Sequence, residues 1–527
     1  AKNIKGQLLN QDVDIDIYPK GDSTVLSAEG IFVSSSMPKT FPDFITGQFP
    51  YLFDVIISEQ NEGDFYVDAS VVSNLQGAEV TLPGSFYKEA DKNKNIKVTL
   101  KQSKNNPIIN INYDDIVNVE YESLGNGRFF DNSRLNIMMS ELDAEMWLLW
   151  YEKYNIDDTL VSGVDRLTIE TEKLLGYGQQ FPNIKITAVK ERKNWLVSIV
   201  GQGIEGEVSV PENITKKDTL KVDLERLKLV LPKKINAEDN VGKQHALWPS
   251  MSINVNELII DDITLGSLEL ISHKDTNKWV IDSANITSEL YSLEVSEGIW
   301  TQFPLAVKTE LAFRIDSHDF TNLIEKFGFE PRVEAEKLKL LTSLSWEGGP
   351  MTFSEEAAKG TISFKLEKGK LKDVEPGAAG RAFGLLSIAT IQRRLSLDFS
   401  ELFSQGLNYR TIKASFEIND GLAMTKDFSL EGGSADILIE GVVDLVNQQY
   451  NQKVKVRPNV SSTLPLAGAV AGGPVGLGVG TAILLADKLA GRLFDKDIVN
   501  LISYDYLLTG SWQEPDLKMI KPFLPGL

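Results

Sequence analysis

Cysteine is absent from the 527 residues. Disulfide frameworks, thiolate zinc sites and cysteine nucleophiles are excluded with it. A cysteine-free chain is compatible with an oxidising compartment without requiring one. Histidine is scarce: His245, His273 and His318 stand far apart. A His-rich metal site or a His-based catalytic relay would need long-range convergence. Basic excess is missing as well. Lys and Arg number 54 against 74 Asp and Glu, a net charge of −20. Nucleic-acid binding needs the opposite, a basic footprint over the phosphates, so no nucleic-acid partner is expected. Contact with membranes through apolar surface is not excluded. The first ten residues show no initiator Met and no apolar core of a signal peptide. They read as mid-strand, so the chain is expected to be the C-terminal part of a longer protein.

Catalytic signatures are missing too. Gly476, Gly478 and Gly480 lie close together, but no Lys-Ser/Thr pair follows to make a P-loop. No dinucleotide fingerprint opens a βαβ unit, and there is no G-x-S-x-G elbow or H-E-x-x-H helix. Carboxylates are abundant, yet they alternate with apolar residues, where solvent is their natural partner. No catalytic residue, metal site or cofactor is expected, and the chain is read as a non-enzyme.

What is present is alternation. Val13, Ile15 and Ile17 share one face of a strand whose other face carries Asp12, Asp14 and Asp16. The three acids lack the Gly and terminal Glu of a calcium loop, so they are read as a solvated face. Ile96, Val98 and Leu100 alternate with polar residues in the same way. Asp143 then caps a short helix carrying Met146, Trp147 and Trp150 at helical spacing, an aromatic stripe read as packing. A repeat follows. Ile184, Ile186 and Trp195 recur as Leu268, Leu270 and Trp279, each pair offset by 84 residues. Each copy reads as strand, polar turn and strand. A weaker echo ends a strand at Pro83 and again at Pro211. Leu220, Val222 and Leu224 alternate in one phase, and Leu227, Leu229 and Leu231 in the other. The side-chain period is two, so a bulge or bend is expected near Glu225 and Arg226. Asp319 opens a second short helix that ends near Gly328.

The last third is the most regular. Ile362, Phe364 and Leu366 alternate, as do Leu395, Leu397 and Phe399, then Ile412, Phe416 and Ile418, then Ile437 and Ile439. A helix is expected around Ala378–Arg393. Asn419, Asp420 and Gly421 signal a hairpin turn. Long helices between strands are lacking, so the pattern is not doubly wound. The best internal seam is the loop Pro232–Pro249. Leu464–Ala486 is 23 residues without charge, with six glycines and two prolines. Its length suits a membrane span, but Pro465 and Pro474 break it. Gly468, Gly472, Gly476 and Gly480 form a small-residue face. The expectation is a helical hairpin, with the second piece running from about Val475 to Phe494. It either plugs the end of the sheet or touches a membrane.

The residues themselves carry a resemblance. The run Leu344–Pro350, Gly360–Gly369, Glu375–Gly377, Gly380 with Arg381, and Arg393–Phe403 resembles the C-terminal region of the YhdP-type branch of the AsmA-like proteins. So do Val460–Gly468 and the closing Tyr504, Tyr506, Trp512 and Pro515. The resemblance covers nearly the whole chain and is strongest from about residue 310. It implies a protein of the Gram-negative periplasm, anchored in the inner membrane by an N-terminal helix absent from this chain. It also implies similarity to bridge-like lipid transfer proteins, whose curled β-sheet groove carries acyl chains between membranes.

The expected fold is therefore mainly β, an elongated, curled β-sheet groove with a few short helices and a C-terminal Gly-rich helical insert at about 464–495. Three segments are expected: a β-rich groove segment over 1–160, a β-repeat over 161–318, and the AsmA-like C-terminal region over 319–527. The expected lipid-lining residues are Ile362, Phe364, Leu366, Leu395, Leu397, Phe399, Ile412, Phe416, Ile418, Ile437 and Ile439. The expected membrane-contact residues are Pro465, Pro474, Leu477, Ile483, Leu484 and Phe494. The expected partners are phospholipids, the inner and outer membranes and unidentified membrane proteins. Arg381, Arg393 and Arg394 are candidates for anionic headgroups, with pairing to Asp398 or Glu401 the plainer reading. The alternative function is a structural or assembly protein of the envelope whose apolar faces are all self-buried.

Overall fold

The structure is a computed structural model. It describes residues 4–8, 11–36, 44–61, 64–102, 107–124, 132–154, 163–192, 194–211, 218–231, 248–302, 307–350, 352–372, 407–459 and 503–523. The chain divides into two compact units, Ala1–Asp262 and Ile263–Leu527. Both are mainly β, as the alternating sequence requires. The helix expected around Ala378–Arg393, the Gly-rich insert and most of the Pro232–Pro249 seam lie outside the described residues.

In the first unit each strand pairs with its neighbour in sequence, with one excursion. Strands Asp64–Ser73 and Ile96–Gln102 pair directly. The residues between them loop out and return only as the short strand Ala78–Val80, which pairs with the start of Ile45–Asn61. Two joins are parallel: Ser133–Asp143 with Val164–Gly176, and Thr219–Leu229 with Ser250–Ile260. Helix α1, Ala144–Tyr154, lies between the first parallel pair in sequence. The Asp143 carboxylate caps it, accepting from the Met146 amide at 2.9 Å. The register of Gly206 with Leu224 jumps to Glu205 with Arg226. Glu225 is thus the extra residue, where the leucine phase slips in the sequence. It restores Leu227 and Leu229 to the face of Leu224.

In the second unit every pairing among the described residues is antiparallel and joins successive strands, from Ile263–Asp275 to Pro515–Phe523. The expected hairpin closes with Asn419 opposite Leu422. Asp420 and Gly421 sit at φ 48° and 79°, the two left-handed positions of a type I′ turn. Helix α2, Phe320–Lys326, is capped by Asp319, whose side chain accepts from the Asn322 amide at 3.2 Å. It stops at Gly328, φ 81°. Both copies of the 84-residue echo are strand, turn, strand: Gln179–Glu191 with Asn194–Gly201, and Ile263–Asp275 with Lys278–Thr287.

Candidate functional site: one apolar face carried through the registers

Directly paired residues point to the same face of a sheet, so the registers show where each apolar set lies. In the first unit Val13 and Ile15 oppose Gly30 and Ala28, and Ala28 opposes Phe53. Phe53 opposes Val71, Val71 opposes Val98, and Val98 opposes Ile111. Ile111 opposes Val119, Val119 opposes Ile137, and Ile137 opposes Ile169. Ile169 leads to Ile186, Ile199 and Gly206, then to Leu224 and Val255. One face is apolar through every pairing of that path. The sequence shows each strand's alternation but not that all of them fall in phase.

This face is not packed shut. Phe53, Val71, Val98, Ile111, Ile169, Ile186, Ile199, Val208 and Val222 are half-buried, while Tyr113, Val117, Ile184 and Ala188 on the same face are buried. A sheet face packed against a second layer would bury them. Part of the face does have a cover. The excursion after Ser73 brings Leu75, Ala78, Val80 and Phe86 into a buried cluster, against which Val119, Ile137 and Met139 pack. Trp147 of α1 joins this cluster and meets Phe86 edge-on at 5.6 Å and Trp150 at 5.4 Å. The aromatic stripe is packing, as its spacing suggests, though Met146 is 44% exposed and stands outside it. Lys88, only 2% exposed, holds the excursion through the carbonyls of Ala78 and Glu89, at 2.6 and 2.9 Å. Burial lowers the pKa of its ammonium. Nothing in the sequence marks this lysine, because its role depends on a loop folding back over a sheet.

The second unit continues the same logic and then changes. Leu270 opposes Ala284, Ala284 opposes Val295, and Val295 opposes Phe313. Leu338, Leu340 and Leu344 follow, opposite Leu366, Phe364 and Gly360. Leu270, Val295, Phe313, Leu338 and Leu340 are half-buried. Next come Ile412, Phe416 and Ile418 opposite Leu366, Ile362 and Gly360. Ile437 and Ile439 then oppose Leu430 and Phe428. Here the face is shut. Ile412 and Ile437 are 0% exposed, and Leu366, Phe416, Ile418 and Ile439 are 1–3% exposed. Ile362 and Phe364 are partly buried against this cluster, with the Phe364 ring 6.3 Å from those of Phe416 and Phe428. Phe320 and Ile324 of α2 belong to the same cluster. The described lipid-lining residues of the sequence reading therefore do converge on one face, at its closed part. Leu395, Leu397 and Phe399 lie outside the described residues. So do Pro465, Pro474, Leu477, Ile483, Leu484 and Phe494, and Arg381, Arg393 and Arg394.

The opposite face is exposed and carries cross-strand ion pairs together with apolar side chains such as Val200, Ile271 and Leu341. Lys185 pairs with Glu170, Arg226 with Glu257 and Arg314 with Glu294, each at 2.7 Å and each with its cross-strand neighbour. Exposed pairs contribute about 0–1 kcal/mol each, so they fix register and solubility more than stability. Lys5 pairs with Asp14, and Gln7 donates to Asp12, on a solvated strand face. Among the described residues no group of three His, Asp or Glu side chains could hold a metal. No described helix is long and apolar enough to cross a membrane.

Among the described residues the strands join their neighbours in sequence, with an apolar face on one side and cross-strand ion pairs on the other. The model of the YhdP protein family matches residues 1–517, and the chain belongs to that family. It is similar to the intermembrane phospholipid transporter YhdP of Escherichia coli strain K12, with 24% identity over 408 residues. That alignment covers 74% of this chain and 31% of the relative, so the chain spans less than a third of the relative's length. No solved structure matches.

Proposed function

We propose that this chain carries phospholipid between the inner and outer membranes of a Gram-negative envelope, without catalysis, by holding acyl chains in a groove on its apolar face. The observation that supports this most directly is the half-buried state of in-phase apolar residues such as Phe53, Val98, Ile169, Ile199 and Val222. Apolar surface exposed on that scale is costly in water unless something covers it. An acyl chain gains about 0.8 kcal/mol for each CH2 it buries and needs no directional bond. Strands with one oily face can therefore hold a tail at any position along their pairings, which suits passage rather than capture. The relative in Escherichia coli, an intermembrane phospholipid transporter, points the same way. The shut cluster around Ile412 and Ile437 is then a closed part of the second unit's own face.

That cluster also favours a second reading, a structural or assembly protein of the envelope with its apolar residues self-buried. Adjacent residues separate the two. Val197 lies on the apolar face, opposite Ala188 and Val208, while Leu196 lies on the charged face opposite Val189 and Ser209. A photo-reactive phenylalanine analogue at 197 should capture phospholipid in the cell envelope, and one at 196 should not. Equal capture at both positions, or none at either, would sink the groove.

A further inference from the structure

The outer face of the second unit carries a feature that the apolar face does not use. Lys339 lies opposite Lys365, and Lys365 opposite Lys413, on three successive strands. Their flanking residues, Leu338 and Leu340, Phe364 and Leu366, and Ile412 and Ala414, lie on the inner face, so the three lysines point away from it. All three are exposed. Neighbouring strands lie about 4.8 Å apart, so the lysines stand abreast within about 10 Å. Like charges directly opposite each other destabilise a sheet. Two such contacts in one row are an unfavourable arrangement that an anion would relieve.

The nearby acids do not balance the row. Glu367 pairs with Lys365. Its carboxyl is held below the usual range, first by that hydrogen bond and then by the charges of Lys365, Lys337 and Lys339. One carboxylate thus serves several lysines. Asp316, opposite Lys339, is taken by Arg314 at 2.8 Å. Asp427 accepts from the Ser415 amide at 2.8 Å and from the Thr425 hydroxyl at 3.3 Å. Lys339 and Lys413 form no hydrogen bond or ion pair with a described residue. Beyond Lys413 the row passes through Ser429 and Leu438 to Lys455, which faces Asp505. The excess is therefore centred on Lys339, Lys365 and Lys413. They stand on an open sheet face, which encloses no small anion and suits an extended anionic surface. Two leucines share that face. Leu341, two residues along the strand from Lys339, is 56% exposed, and Leu438 in the row is 38% exposed. Ammonium groups with exposed leucines among them suit a bilayer surface, where the ammoniums meet lipid phosphates and the leucines enter the headgroup boundary.

We propose that this face of the second unit docks on an anionic phospholipid bilayer, with Lys339, Lys365 and Lys413 at the phosphates and Leu341 and Leu438 at the headgroup boundary. The proposal goes beyond the transport reading: it states where the chain rests on a membrane and needs no lipid in the groove. The exposed leucines favour a bilayer over an acidic protein segment, and the test separates the two.

The purified 527-residue chain is mixed with phosphatidylcholine vesicles, with or without phosphatidylglycerol, and bound protein is measured by flotation. The unaltered chain should bind the vesicles that contain phosphatidylglycerol, and less as salt rises. Lys339→Gln with Lys413→Gln should weaken that binding roughly 30-fold, about fivefold per lysine. Lys339→Arg with Lys413→Arg should bind as the unaltered chain does. Both lysines face Lys365, so exchange protection in 359–371 should hold or rise in the glutamine pair. Lost protection there would contradict the like-charge argument and overturn the proposal. Lys97→Gln with Lys221→Gln removes the same charge from the first unit and should leave binding unchanged. Undiminished binding by the folded Lys339→Gln, Lys413→Gln pair overturns the proposal, and so does an equal loss in the first-unit pair. Equally tight binding to phosphatidylcholine alone overturns it too. Soluble polyglutamate bound more tightly than the vesicles overturns the bilayer in favour of an acidic protein segment. Failure of the unaltered chain to bind any vesicle overturns this proposal and leaves photo-capture at 197 as the separate test of the groove.

Discussion

Ile199 and Ile437 are the same residue type at equivalent places, the apolar side of a central strand, and the structure assigns them opposite energetics. Ile437 is 0% exposed, between Leu430 and Val456. Ile199 is half-buried, between Ile186 and Gly206. Replacing either by Ala removes three carbons. At Ile437 all three leave a packed environment, which loses about 2–3 kcal/mol of transfer free energy. The cavity left behind raises the total to about 2–5 kcal/mol. At Ile199 only part of that surface is withdrawn from water and no closed cavity forms, so the cost should be about 1 kcal/mol. A chain of this length in two units is unlike a two-state folder, so one global unfolding midpoint is the wrong measure. Amide hydrogen exchange in 194–201 and 435–444 reads each site locally. Aspartate sharpens the contrast. Ile437→Asp should unfold its strand, whereas Ile199→Asp should leave its strand protected and reduce co-purifying phospholipid measured by mass spectrometry. If Ile199→Ala destabilises as much as Ile437→Ala, the face is packed in the first unit too, and the open-groove argument fails.

Gly360→Ala should destabilise the second unit by about 1–3 kcal/mol, read as lost exchange protection around Ile362. Gly360 sits at φ 141°, where an added Cβ would lie 2.0 Å from the Ser343 carbonyl oxygen. Asp319→Ala should cost about 1 kcal/mol by uncapping α2, and retained exchange protection in 323–327 would refute the cap's importance. Burial raises the Tyr113 pKa to about 12, with its hydroxyl donating to the Phe86 carbonyl at 3.0 Å. Its folded pKa exceeds the unfolded value near 10. The stability it adds is therefore complete below pH ~10 and lost as pH rises toward 12. Tyr113→Phe should flatten that alkaline loss in the excursion, and an unchanged profile would show the hydroxyl to be irrelevant. Asn447 holds the Asp444 carboxyl below its ordinary range through side-chain and backbone hydrogen bonds. The turn it anchors should keep its full stability above the ordinary carboxylate pKa and lose it as pH falls through the lowered folded value. An NMR titration of Asp444 that shows no downward displacement would contradict this.

Several elements were legible in the sequence because the information they need is local. The period-two alternation names strands wherever one face meets water. The two Asp caps, the Asp420-Gly421 turn and the leucine phase slip each depend on a handful of adjacent residues. The parallel joins were not legible, because α1 is short and the sequence around it alternates as it would in a hairpin. Lys88 is not legible either, because its burial depends on a loop that folds back over the sheet. The eleven lipid-lining candidates illustrate the limit best. Their faces were read correctly from alternation where the structure describes them, but alternation has the same form whether a face is packed or open. The open part lies earlier, at residues such as Phe53, Ile169 and Val197, whose alternation in the sequence is no stronger than that of the packed strands.

The sequence by itself determined that this chain is built of strands, that each strand has an apolar and a charged face, and that thiol chemistry is unavailable to it. Backbone geometry and side-chain polarity suffice for those statements, because a strand's period and a residue's chemistry do not depend on distant contacts. Only the tertiary structure decided that the apolar faces fall in phase from strand to strand. It alone decided that the excursion after Ser73 covers one part of the first unit's face, that residues such as Ile199 and Val222 stay half-buried there, and that the second unit's face is shut around Ile437. Exposure is set by what a sheet is packed against, and that is a property of the folded chain as a whole.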